Sequence, residues 1–299
     1  MYDTVHFYLR CMESEISNLL SCFEFKEIKS NTWKYQLENL IITIYPSVVT
    51  IQGSLSKFYF GYDLFSLNRK TTQLAIERLS EILQLDIQNA LVTRIDIAAN
   101  LEMSHKVECY FPFLGDYSRR YRTRYKSSLY YNSMGENNPH SCLFYDKGKQ
   151  LHKGTSFLLR FESRWERHLS KQLTWDNIKG KTLYDPCFYQ YIISLWQKDY
   201  FAIKKRNIPM LDQSVFIKTL KEAKDYMMNY GIHSIPVTDK MKIIEFIKAN
   251  LTKSGDRFKF NKWLDKMNND KNMNSTSILI EELDYKIRSR VLEEIGILL

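Results

Sequence analysis

The sequence has no paired cysteines. The five present, Cys11, Cys22, Cys109, Cys142 and Cys187, are odd in number, scattered and without a CxxC motif. That pattern argues against both a disulfide framework and a thiolate zinc site, and points to a reducing, cytoplasmic compartment. MYDTVHFYLR at the start lacks a basic region followed by an apolar core, and the most apolar stretch, LIITIYPSVVTIQGS, is broken by Pro46 and polar residues. Neither a secretion signal nor a membrane span is expected. There is no GxxxxGK[ST] phosphate loop, so the chain does not read as an ATPase, and no HExxH or His-hydrophobic-His pair among the dispersed His6, His105, His140, His152, His168 and His233. No internal repeat is evident.

What is present is apolar material and positive charge. The 299 residues are 44% hydrophobic, enough for one large domain or two ordinary ones, and 43 basic against 34 acidic residues leave a net charge of +9 with a pI near 9.1. Such a surface suits an anionic partner, nucleic acid first.

Along the chain the first half reads as strands carrying one or two helices. TVHFYL alternates; after an amphipathic stretch from Glu13 to Phe23 come WKYQL, LIITIYP and VVTIQGS, rich in β-branched and aromatic residues. Helical spacing of Leu74, Ile76, Leu79, Ile82 and Leu83 predicts a helix over about 69–85, and LVTRIDIAANLE predicts a strand of a buried sheet. SSLYYNS and SCLFYDK flank the polar loop GENNPH, and LLRFESRWER completes the β-rich region. From Tyr184 onward the pattern is helical: Asp212 to Tyr230 with Gly231 as C-cap, Asp239 to Leu251 after the N-cap Thr238, the polar linker NNDKNMNSTS, and Ile280 to Ile297. The expected fold class is α+β, a central antiparallel sheet with packed helices followed by a mainly helical C-terminal region. A boundary near residue 205 divides a domain 1–205 (β-rich segment 1–90, catalytic sheet 91–205) from a helical domain 206–299.

Three stretches carry chemistry. In VTRIDIAAN, Arg94 and Asp96 share one strand face; in LLRFESRW, Arg160, Glu162 and Arg164 share another. Two such strands meeting in one sheet bring Asp96 and Glu162 together, either as hard oxygen ligands for Mg²⁺ or Mn²⁺ or as members of cross-strand ion pairs, Arg94 to Glu162 and Arg160 to Asp96. In LFYDKGKQL, Lys147 stands two residues after Tyr145, on the same strand face, where an ammonium could stabilise a phenolate; a packed amphipathic tyrosine is the alternative. Tyr130 and Tyr131 on the preceding strand are rivals for the role of nucleophile. In DYSRRYRTRYK, Arg119, Arg120, Arg122, Arg124 and Lys126 interleave with Tyr117, Tyr121 and Tyr125. Cations for phosphates and rings for bases suit single-stranded DNA, and a solvated loop has the same composition.

Taken in order, MYDTVHFYL, VTIQGSLSKFYFGYDLFSL, VTRIDIAANLE, SCLFYDKGKQL and LLRFESRWERHL, spread over roughly residues 1–175, resemble the phage and plasmid replication initiation proteins of the II/X group, the rolling-circle initiators of filamentous phages and related plasmids. The resemblance implies a nicking-joining endonuclease of the HUH type. Such an enzyme cuts one strand of origin DNA with a tyrosine, keeps the 5′ phosphate as a phosphotyrosine, leaves a 3′ hydroxyl for a host polymerase working with a host helicase, and later rejoins ends. On that pattern the nucleophile is Tyr145, accompanied by Lys147, and the metal carboxylates are Asp96 and Glu162, with Arg94, Arg160 and Arg164 serving DNA or holding the carboxylates. The sequence departs from the pattern in lacking the His-hydrophobic-His pair, which makes His140 a candidate ligand, and in reading Gly61-Tyr62-Asp63 where relatives have Gly-x-Asn. A relaxase or transposase with the same tyrosine chemistry, and a non-catalytic origin-binding protein, are the competing readings.

Overall fold

The structure, a computed structural model, describes residues 1–62, 64–134, 139–150, 157–206, 228, 237–251, 253–268 and 278–296. The expected helix 212–230, apart from Met228, lies outside them, as do most of the linker after Asn268, the tip of the GENNPH loop and Asp63.

Among the described residues ten strands form one sheet: β1 (Tyr2–Arg10), β2 (Lys26–Lys29), β3 (Thr32–Leu37), β4 (Leu40–Tyr45), β5 (Val48–Gln52), β6 (Leu91–Met103), β7 (Arg120–Arg124), β8 (Ser128–Ser133), β9 (His140–Asp146) and β10 (Phe157–Glu166). Their order is β2-β3-β4-β5-β1-β6-β10-β9-β8-β7, and every pairing is antiparallel. The α+β class is therefore as expected. The two strands marked by Arg-x-Asp and Arg-x-Glu, β6 and β10, are direct neighbours at the centre. Both are buried along their middles, eight of thirteen residues in β6 and six of ten in β10, as suits strands at the centre of a covered sheet.

Helices are α1 (Glu13–Cys22), α2 (Leu55–Phe60), α3 (Arg69–Leu83), the single turn α4 (Lys147–Gln150), α5 (Leu169–Leu173), α6 (Pro186–Ala202), α7 (Val237–Asn250), α8 (Ser254–Asn268) and α9 (Ile278–Ile295). Helix α6 starts cleanly because Pro186 sits in its first turn and Asp185 caps it, accepting from the Phe188 amide. It lies on one face of the sheet, where Trp196 packs 5.0 Å from Phe161, whose ring stacks on Phe144 at 4.4 Å.

The last helix joins the same core. Leu279, Leu283, Ile287 and Val291, each four residues on, are buried with Ile280. Polar contacts hold the helix as well: Glu282 accepts from the Ser104 amide and hydroxyl at 2.8 Å and from Tyr110 at 2.5 Å, Asp284 from Tyr200 at 2.5 Å, and Glu294 from Tyr189. Thus α9, at the end of the stretch assigned above to a separate domain, packs on the sheet. Among the described residues no helix is long and apolar enough to cross a membrane.

Candidate active site

The two faces of the central sheet differ in kind. Strand register places Asp96, Ala98 and Asn100 of β6, Arg164, Glu162 and Arg160 of β10, Ser141, Leu143 and Tyr145 of β9, and Asn132, Tyr130 and Ser128 of β8 on one face. The other face carries Phe144, Phe161, Trp165 and Tyr131 beneath α6.

On the first face the charges form a continuous ladder. Arg94 grips Asp96 with two bonds, Nε to Oδ1 at 2.9 Å and Nη2 to Oδ2 at 2.7 Å, and reaches Glu166 at 2.8 Å. Arg164 Nε donates to Glu162 Oε1 at 3.0 Å and stands 3.8 Å from Asp96 Oδ2. Arg160 lies 3.8 Å from Glu162, donates to Asn100 Oδ1 at 3.1 Å, and pairs with Asp3 at 2.8 Å. Asp3 in turn accepts from Ser54 at 3.0 Å and Ser56 at 2.7 Å. Ion pairing does occur, then, but between different partners from the expected Arg94–Glu162 and Arg160–Asp96.

Asp96, Glu162 and Arg160 are at most 2% exposed, and charges are found that deep only when compensated. Burial raises the pKa of Asp96; the Arg94 contact opposes the rise and nearby Glu162 adds to it. For Asp3, burial alone would act upward, but Arg160 and the two serine hydroxyls outweigh it, and the net shift is downward.

Tyr145 is the cross-strand neighbour of Arg160. Burial pushes its phenol pKa up, Arg160 and Arg164 pull it down, and Glu162 and Asp3 oppose them. Tyr145 lines an open cleft of about 480 Å³ with Ser128, Tyr130, Leu143, Lys149 and Arg164. Lys147 reaches Tyr145 by a route other than strand alternation. The strand ends at Asp146, and Lys147 opens α4, placing its buried ammonium 5.9 Å from the Tyr145 ring centroid and 3.0 Å from Gln150 Oε1. Of the two rival tyrosines, Tyr130 faces the cleft. Tyr131 lies on the opposite face, fully buried, its hydroxyl donating to the Gly115 carbonyl at 2.8 Å.

His140 also belongs to the far face, stacked on Trp165 at 4.9 Å, and so cannot join Asp96 and Glu162. With Cys142 and Asp199 it does form a group whose potential ligand atoms lie within 4.8 Å of one another. This group does not fit a metal. Arg120 donates to His140 Nδ1, which fixes the proton on Nε2, where it bonds Asp199 at 2.8 Å; a metal on Nε2 would require an imidazolate. Tyr117 completes the network by donating to Asp199 at 2.7 Å.

The Arg/Tyr segment is an edge strand with its turn rather than an irregular loop. Arg120 and Arg122 turn inward, Arg120 to His140 and Arg122 to the carbonyls of Leu114 and Phe111 at 2.9 and 3.0 Å. Arg119, Arg124 and Lys126 are exposed.

Asp3, Ser54, Ser56 and Asn100 escaped the sequence reading. The one signal was Asp3, the single carboxylate of β1.

A family model that describes the N-terminal region of a phage replication-associated protein matches residues 1–172. The chain belongs to this family. The resemblance carried by the five sequence motifs is therefore met, and with it a place among the phage and plasmid rolling-circle replication initiators. The rolling circle replication initiator protein from Geobacillus stearothermophilus is similar over 72% of this chain and 89% of its own, at 13% identity and a TM-score of 0.43. No curated protein matches the chain.

Proposed function

We propose that the protein nicks one strand of its origin through Tyr145. The phenolate oxygen attacks the scissile phosphorus, the bond to the 3′ oxygen breaks, and that oxygen takes up a proton to become the free 3′ hydroxyl. A 5′-phosphotyrosine remains, and attack by a 3′ hydroxyl on it reverses the step and reseals DNA without ATP. The observation that carries this reading is one sheet face on which Tyr145 and Arg164 line the cleft while Arg164 contacts the buried carboxylates of Asp96 and Glu162 behind it. Arg160 is too buried to meet the DNA backbone, and its role is to hold Glu162 and face Tyr145. Arg164, at the cleft wall, is the cation placed for a phosphate.

Asp96 and Glu162 fit a divalent ion in one specific sense. A single guanidinium nitrogen of Arg164 reaches both carboxylates, so the two converge on one cation, and Asp96 and Glu162 would hold Mg²⁺ or Mn²⁺ once that guanidinium turns to a phosphate. Bound there, such an ion would polarise the phosphoryl oxygen. Nicking of supercoiled origin DNA should then stop in EDTA, and cleavage undiminished by the chelator would remove the metal from this account. Asp96→Ala or Glu162→Ala should cut the rate by on the order of 10² or more.

Tyr130 lines the same cleft and is the second reading for the nucleophile; Tyr131 drops out. Tyr145→Phe keeps the ring and removes only the attacking oxygen, so the variant should bind DNA and form no covalent adduct. Mapping the modified peptide by mass spectrometry decides between the two: a phosphotyrosine at Tyr130, or full activity of Tyr145→Phe, moves the role to Tyr130. The free 3′ hydroxyl would prime a host polymerase behind a host helicase, which places the activity in the cytoplasm. A relaxase or transposase would share the chemistry and differ in the DNA it accepts.

A further inference from the structure

Strand β7 alternates, and the alternation sorts its residues by kind. Arg122 pairs with Tyr131 and Arg124 with Leu129, so these arginines stand on the α6 side of the sheet. Tyr121 pairs with Asn132 and Thr123 with Tyr130, so Tyr121, Thr123 and, one further step on, Tyr125 stand on the side of the cleft. Tyr121 and Tyr125 are each 59% exposed, far beyond what packing requires of a tyrosine. The Tyr125 ring sits edge-on to Tyr130 at 5.5 Å, and Tyr130 in turn lines the cleft with Tyr145. Tyr117, the third ring of the segment, is spent on Asp199 and on the Arg120 guanidinium 4.5 Å over its face.

We infer that the β7–β8 hairpin is a stacking platform for unpaired nucleobases, with Tyr121 and Tyr125 each taking the face of a base in a DNA strand that runs on into the cleft. The inference rests on the reading of single-stranded origin DNA as substrate and says where that strand lies. Several observations favour this occupant. The rings continue directly from the cleft through Tyr130. Exposed Arg119 and Lys126 bracket the two rings in sequence and bring charge for phosphates, on a protein of net charge +9. Four residues of extended chain separate the two rings by roughly 13 Å, room for a short run of splayed nucleotides. Finally, β7 is a sheet edge studded with arginines, a pattern that discourages pairing with a strand of another protein chain.

The test is binding of the full-length protein, without divalent metal so that no cleavage intervenes, to a fluorescein-labelled oligothymidine and to an abasic oligonucleotide of the same length. Tyr121→Ala and Tyr125→Ala should each weaken binding to oligothymidine on the order of tenfold, since losing one stacked base is worth that much. Neither should change binding to the abasic strand or the slope of affinity against salt, and the Tyr→Phe variants should bind as the parent does. Unchanged affinity for oligothymidine, an equal loss on the abasic strand, or a loss confined to duplex DNA would each overturn the platform. These outcomes do not depend on which tyrosine attacks, because covalent adduct formation, compared between the parent and Tyr145→Phe, tests that separately.

Discussion

Asp3 carries more of the site than its position near the start of β1 suggests. Its carboxylate is the partner that lets the Arg160 guanidinium remain buried beside Tyr145, and breaking such a pair leaves a charge with nothing to offset it. Asp3→Asn should therefore cost on the order of 3 kcal/mol in urea unfolding. The same carboxylate gives a pH signature. Its folded pKa is depressed, so the stability it contributes is complete above the unfolded value of about 3.9 and is lost as pH falls through the lower folded value. Acid titration of stability should show that component in the parent and a reduced one in Asp3→Asn. If the two profiles coincide, Asp3 does not anchor Arg160. None of this could be read from the sequence, because the contact joins residues 157 positions apart and depends on β1 lying next to β6.

Among the elements, β6 was legible because it is rich in β-branched and apolar residues, and β10 because Leu159, Phe161 and Trp165 alternate with Arg160, Glu162, Arg164 and Glu166. Their adjacency followed once two matching charge patterns were taken to meet. Strand β7 was not legible. An edge strand needs only half its surface buried, so RYRTR shows no apolar alternation, and its composition equally suits a loop. The face each arginine takes is set by the hairpin register, which the sequence does not state. That register divides the arginines into two experimental classes. Arg124→Ala and Lys126→Ala should each take roughly 0.7 from the slope of log affinity against log salt on single-stranded DNA while leaving the melting temperature alone. Arg120→Ala and Arg122→Ala should do the reverse, lowering the melting temperature by freeing His140 and the Leu114 and Phe111 carbonyls. A slope change of similar size in all four would mean that the inward contacts do not persist in solution.

For the whole molecule, the helical tail divides into segments with different claims. Helices α7 and α8 continue as a proposed module for origin recognition or protein contacts, since their sequences are lysine-rich and residues 243–250 and 254–265 are mostly exposed. Helix α9 is another matter: its amphipathic pattern was visible in the sequence, yet periodicity says only that one face is apolar and not which surface covers it. Truncation near Arg206 would remove α9 and uncover the surface beneath Leu279, Leu283 and Ile287. The expected product is insoluble or loosely folded, and adding α9 back as a peptide should restore a cooperative melt. A truncated chain that melts like the parent and still cleaves an oligonucleotide would show α9 to be dispensable to the core.

The Ser104–Glu282 contact also sets a clock on biosynthesis. A ribosome adding about 5–20 residues per second delivers Glu282 roughly 10 to 35 s after Ser104. During that interval the strands already made, and later β9 and β10, have some of their apolar cover still unmade. Nascent chains should therefore lean on chaperones late in translation, and products that stop short of α9 should be degraded rather than accumulate.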